Sequence, residues 1–506
     1  MALLRLPIVS LCLLFGVRVV PWSRRLFTQE TEDATMCGLR TAIILVASVV
    51  ATGCQRWVRP FPGVRIEPTR AVRHEKDFGP DSAYQLLVQA GKLPAKDETT
   101  AGWAPLIDRF REFPWPAQAP QADAPDQPWH PQDYARIRAI LAATEPNLAL
   151  ARRAADAPDP QVPTVTSADT LIPYVRPARD VARLMVISSH TKEDTPAEAF
   201  ADLLVCIRFG NILSRGGSFI GHVVDMATTG MAAEALWCIP TRVNVPSPVL
   251  RSAAQELLRI ADGVEPFAEA VRGDAQVGLA ALDTPNWHGF GVWLGARVVG
   301  LLTGSTRRAI KRDLTYFFQH MVNLAAEPYH KDINEQTQAL IAAVRPSPIG
   351  GVWGIRDPAG RRLAGQMIRI LGRHIRMAAE RDAVLRGTAL YLAILAYEKD
   401  TGAPPAALAD LVPAYLPHLP LDPFSGRPFR YAVGKSTCYA WGDVPWGVYS
   451  IGSDLWDNGG EASRAVSTKQ RKTKYGASPD IVWIPKPFPK IPPPKPKAVG
   501  IFDGAL

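Results

Sequence analysis

The chain has 506 residues, 47% hydrophobic and 21% charged, a balance that excludes wholesale disorder. That length allows two or three domains and a sizeable core. The formal charge is +9, and most of it is local: from Glu461 onward nine Lys and Arg stand against Glu461, Asp480 and Asp503, an excess of six.

Two apolar runs open the chain. Residues 6–17 follow Arg5, are broken by Pro7, Ser10 and Gly16, and meet Arg18 and Arg24-Arg25, so the run is short for a membrane span. The second begins with Met36 and Arg40, continues as an apolar stretch over 41–50, and ends in the small residues Ala51-Thr52-Gly53 before Cys54. This is the layout of a secretory signal. It resembles a bacterial lipoprotein signal, with Ala51 where that pattern favours Leu. The resemblance implies cleavage before Cys54 and a diacylglycerol on its thiol. Translation then starts at Met36, or residues 1–35 leave with the signal. The alternative is a genuine N-terminal extension with 41–51 as a plain apolar anchor. Either way the expected location is the cell envelope, on a membrane, facing the periplasm or the exterior.

Cysteine usage follows from that reading. Of six cysteines, Cys12 and Cys37 would leave with the signal and Cys54 would be acylated, leaving Cys206, Cys238 and Cys438. An exported compartment allows a disulfide, and Cys206 with Cys238 is the natural pair, both lying in apolar helical runs. Buried free thiols are the other reading, since an odd number cannot all pair within one chain.

Prolines interrupt residues 54–165 repeatedly, predicting an irregular region with short helices at 81–90 and 131–143. From 166 to 350 the pattern predicts an α-helical domain. Thr195-Pro196 and Ser247-Pro248 mark helix starts, and further helices are expected over 224–238, 308–326 and 334–344. Ser218, His222 and Asp225 recur at i, i+4 and i+7, near one helical face, and are the candidates for an exported hydrolase. No G-x-S-x-G accompanies them, and a helical His is more often a capping or core residue, so the reading favoured is non-enzymatic. His320 and His330 flank a turn without a metal-binding motif and stay unassigned.

Residues 361–484 read as a separate unit. Ala364, Leu371, Ala378, Leu385 and Leu392 recur every seven residues, with Ile368, Ile375 and Ala389 beside them, predicting one long helix over 361–399. Gly387 marks a bend and Gly402 the stop. Pro404-Pro405 begins a short helix, Asp422-Pro423 a turn, and strands are expected over 429–433, 438–441, 448–451 and 481–484. The fold class predicted is α+β and multidomain: a mostly helical middle domain, then a long helix packed on a small antiparallel sheet.

The order of parts (helix, E-K-D-T-G, Pro-rich short helix, L-x-x-L-P-L-D-P, aromatic strand, S-x-G-x-D) resembles the globular domain of the type II secretion major pseudopilins, over about a fifth of the chain. In that family the last loop binds calcium. The resemblance implies a weak calcium site here with Ser450, Asp454, Asp457 and Asn458 as ligands. The family's N-terminal G-F-T-L-x-E helix is missing before Arg361-Arg362-Leu363, so filament assembly is not expected. The role implied is structural or interaction-based; an accessory part of a type II secretion-like apparatus is the alternative. Residues 485–506 form a Pro/Lys-rich tail, Pro and Lys alternating over 485–497, extended and suited to an anionic envelope polymer or a protein partner. Sparse aromatic residues there argue against nucleic acid.

Overall fold

Proline and short polar side chains set most of the helix starts, and glycine ends the longest helix. The computed structural model describes residues 66, 72–93, 133–166, 172, 174–281, 307–329, 331–344, 358–434, 444–460 and 480–485, all within one compact unit of the chain. Among them the helices are α1 (Ala83–Ala90), α2 (Asp133–Ala155), α3 (Val175–Thr191), α4 (Pro196–Ser214), α5 (Phe219–Arg242), α6 (Ser247–Asp262), α7 (Phe267–Ala281), α8 (Arg307–Ala326), α9 (Lys331–Val344) and α10 (Pro358–Thr401). Strands β1 (Arg430–Val433), β2 (Trp446–Ser450) and β3 (Ile481–Trp483) form one antiparallel sheet in that order. The fold is α+β, mostly helical with one small sheet.

Local chemistry explains the boundaries. Ser82 Oγ accepts from Gln85 N at 3.3 Å to cap α1, and Pro196 stands in the first turn of α4, where its missing N–H costs nothing. Gly402, at φ +82°, closes α10 in the left-handed conformation expected of it. α2 runs well past the expected end at 143 and through Pro146. Its extension is held from outside: Asn147 Nδ2 donates to Ala90 O at 2.9 Å and Lys92 O at 3.0 Å, and Leu148, Ala151 and Ala154 are fully buried. α7 was not anticipated, because Gly273 and Gly278 dilute its stripe of Phe267, Ala270, Val271, Ala275 and Leu279. The strand expected at 438–441 lies outside the described residues.

Two apolar cores share α10. One gathers α1 to α6 with the C-terminal half of α10, where Leu385, Ala389 and Leu392 meet Trp446, Val448 and Trp483 of the sheet. The other gathers α7, α8 and α9 around Ala364, Ile368, Leu371 and Ile375 from its N-terminal half. The boundary expected between 350 and 361 lies, up to residue 357, outside the described residues. The seven-residue stripe runs along a helix of 44 residues, whereas the sheet covers only its distal part, so the rest is buried against other helices. No helix among the described residues is long and apolar enough to cross a membrane. The apolar runs at 6–17 and 41–50, Cys54 and the tail at 485–506 fall outside the described residues, apart from Pro485.

Candidate functional site

β2 ends at Ser450 and delivers the chain into a tight loop. Gly452, Leu455, Gly459 and Gly460 all have positive φ, with Leu455 at 61° the sole non-glycine example among the described residues. Aspartates organise the loop through their own backbone: Trp456 N donates to Asp454 Oδ1 at 3.0 Å, and Gly459 N to Asp457 Oδ1 at 3.0 Å. Asn458 Nδ2 donates to Asp454 Oδ2 at 3.2 Å and to Trp456 O at 2.9 Å. Arg430 Nε and Tyr449 Oη then bind Asp457, both at 3.1 Å, fastening the loop to β1 and β2.

Three further acidic residues belong to this assembly and were missed by sequence reasoning. Asp422, 1% exposed, accepts from Ser450 Oγ at 2.7 Å and Phe424 N at 3.1 Å, so the turn before β1 holds the end of β2. Glu380 on α10 accepts from Ser453 Oγ at 3.0 Å. Asp480, just before β3, accepts from Gly460 N at 2.7 Å and Asn458 N at 3.4 Å. The available signals were Asp422 in the L-D-P turn and Asp480 at the start of an apolar strand. Neither indicates a partner so distant in sequence.

The electrostatics of the loop are uneven. Burial, together with the charges of Asp457 and Asp454, pushes Asp480 up to about 7. Burial also raises Asp454. For Asp457 burial pulls upward too, but the Gly459 N–H, Tyr449 and Arg430 win, and its carboxyl is held below the usual range. Hard oxygen donors in carboxylate excess suit a hard cation, so Asp454, Asp457 and Asn458 fit the donor set expected for calcium. Ser450 does not: its hydroxyl is turned away to Asp422 and accepts from Gly452 N at 3.2 Å. Among the described residues no three His, Cys, Asp or Glu side chains converge as a ligand set. A cation here would take backbone carbonyls besides the aspartates.

The second candidate arrangement disperses. Ser218 is the cap of α5, its Oγ accepting from Gly221 N at 3.2 Å. His222 is fully buried, with Nε2 3.3 Å from Glu265 O and its ring edge-on to Phe267. Asp225 binds Arg381 Nη1 of α10 at 2.7 Å and accepts from Thr229 Oγ1 at 3.3 Å. Burial raises Asp225 against the pull of Arg381. The three share a helix, yet each is committed to a different neighbour, and the hydroxyl–imidazole–carboxylate relay is not formed. His320 Nδ1 donates to Tyr316 O at 2.9 Å, and His330 lies outside the described residues.

The expected Cys206–Cys238 disulfide is corrected: both are buried free thiols. α4 and α5 run antiparallel with Gly210 against Thr228 and Gly221 against Leu213, which sets Cys206 opposite position 230 or so. Cys238 lies about eight residues further, roughly 12 Å along the axis, beyond the reach of an S–S bond. Burial pushes the Cys206 thiol up to about 12 and raises Cys238 strongly as well. No family model, curated protein or solved structure matches the chain.

Proposed function

We propose that this chain is an exported protein held on a membrane of the cell envelope through a lipid on Cys54, with a structural or interaction role and no enzymatic activity. The signal-like run ending at Cys54 supports export and anchoring. The observation that carries the non-catalytic role is Asp225 on Arg381: the acid of the best catalytic candidate joins two helices. The long α10 behind the sheet, with Asp422 fastening the turn to the end of β2, supports likeness to the pseudopilin globular domain. A second reading, an accessory part of a type II secretion-like apparatus, draws on Trp456, which stands 72% exposed at the loop tip as a contact residue. The Lys/Pro-rich tail would reach an anionic envelope polymer or a protein partner.

Fractionation with intact-mass measurement tests the anchor. The expected result is a membrane-bound chain beginning at Cys54 with added diacylglycerol. A soluble cytosolic chain beginning unmodified at Met1 overturns it. Calcium belongs to the same proposal, with an affinity of about 10⁻⁴–10⁻³ M. Millimolar calcium should raise the melting temperature of the wild type and leave Asp454→Ala unchanged. A wild type indifferent to calcium means the loop is closed by protein groups alone.

A further inference from the structure

The turn between α3 and α4 meets the last turn of α5, and three side chains join there. His190, in the last turn of α3, has 2% of its side chain exposed. Its Nδ1 lies 3.0 Å from Glu193 Oε1 and 3.1 Å from Arg242 Nη2. Arg242 completes the trio, donating from Nη2 to Glu193 Oε1 and from Nε to Glu193 Oε2 at 3.3 Å. A static clamp between helices is the ordinary explanation of such a trio.

Two observations go beyond that explanation. A single ring nitrogen stands between a carboxylate, which needs a proton on it, and a guanidinium, which needs its lone pair. A neutral imidazole can serve either. A protonated one serves Glu193 and sets a second cation against Arg242 where water hardly reaches. The second observation is that Arg242 can leave. It is the last residue of α5, 24% of its side chain is exposed, and Pro240 deprives that turn of a backbone hydrogen bond.

The surrounding groups hold their charge states. Burial, with Arg242 adding to it against Glu193, pulls His190 below the ordinary histidine range. Burial pulls Glu193 upward, but its bonds to His190 and Arg242 win and its carboxyl is held low. Burial raises Tyr134 of α2, and it raises Cys238 of α5, on which Glu234 also acts. On α4 Asp202 is shared by Arg152, Ser188 and Lys192, and Tyr84 of α1 faces Tyr174 at the other end of α3. A histidine held below its unfolded value stabilises the fold fully above about pH 6.5. That contribution is lost as pH falls towards the folded value.

We propose that this junction is an acid-sensitive latch: neutral His190 closes the trio and pins the end of α5 to the turn before α4, whereas a second proton on the ring drives Arg242 outward and frees residues 240–243. The device is independent of the anchor and the calcium loop.

Hydrogen-exchange mass spectrometry of the full chain, corrected for the intrinsic effect of pH on exchange, reads the latch. Between about pH 7.5 and about pH 5, protection over 241–243 should fall about tenfold or more, with the central turns of α10 unchanged. His190→Gln, which cannot gain the charge, should lose most of that response. Arg242→Gln should keep a weaker one, because the charged ring then has Glu193 to itself, and this variant decides the case if His190→Gln does not fold. The proposal is overturned if the wild type shows no loss, if either variant loses protection as steeply as the wild type does, or if exchange rises alike in α10.

Discussion

Asp225 and Arg381 face each other at 2.7 Å with 1% and 5% of their surfaces exposed, and Arg381 also reaches Asp382 at 3.0 Å. Taking both charges out of water costs several kcal/mol each, so the pair is a weak source of net stability. Losing one partner is another matter. Arg381→Met should cost about 3–5 kcal/mol in urea unfolding, and adding Asp225→Leu should recover much of it. Asp274 offers a pH test. Burial lifts its carboxyl to about 6 while it accepts from Phe219 N at 3.2 Å at the start of α5. A carboxyl raised above its unfolded value holds its proton longer in the native state. Its stabilising contribution is therefore full below about pH 4 and lost as pH rises through about 6. Asp274→Asn should flatten that part of the profile, melting higher than wild type at pH 8 and alike near pH 4. At this scale the sequence showed Ser218, His222 and Asp225 on one face but not their neighbours. Arg381 lies 156 residues away, and no local spacing reports such a pairing.

Gly387 shows the same gap for a whole element. Sequence reasoning treats a glycine inside a helix as a cost of about 1 kcal/mol and a point of bending. In the fold a Cβ at Gly387 would lie 2.2 Å from the Trp483 ring, and Trp483 Nε1 donates to Thr388 Oγ1 at 3.2 Å. The glycine is there so that β3 can press its indole onto α10. Gly387→Ala should therefore lower the melting temperature, because displacing a packed ring costs about 1–3 kcal/mol and outweighs the propensity gain. A higher melting temperature in that variant would show that the indole moves aside freely. The apolar stripe of α10 was legible in full: Ala364, Ile368, Leu371, Ile375, Ala378, Leu385, Ala389 and Leu392 are all buried. Alternation was a poorer guide over the strand expected at 429–433, where Phe429 is buried and Tyr431 half-buried but Val433 is 48% exposed. A short edge strand leaves its last residue beyond the cover of the helix behind it.

For the molecule as a whole, fold class and most helix starts could be read from patterning, because period and caps are local properties. Which surfaces cover α10 could not, because that is decided by residues far apart in the chain. The loop was partly legible: the aspartates and Asn458 expected to hold calcium bond the loop's own backbone and one another, whereas Ser450 serves Asp422. α10, about 66 Å of continuous helix, is held at one end by three helices and at the other by helices and the sheet. A fragment cut at Arg361 would carry Ile368, Leu371 and Ile375 into water without the side chains that shelter them. The long helix with its sheet is thus less a detachable module than the far end of a shared beam, and an evolutionary graft of it would have to bring its helical bed along.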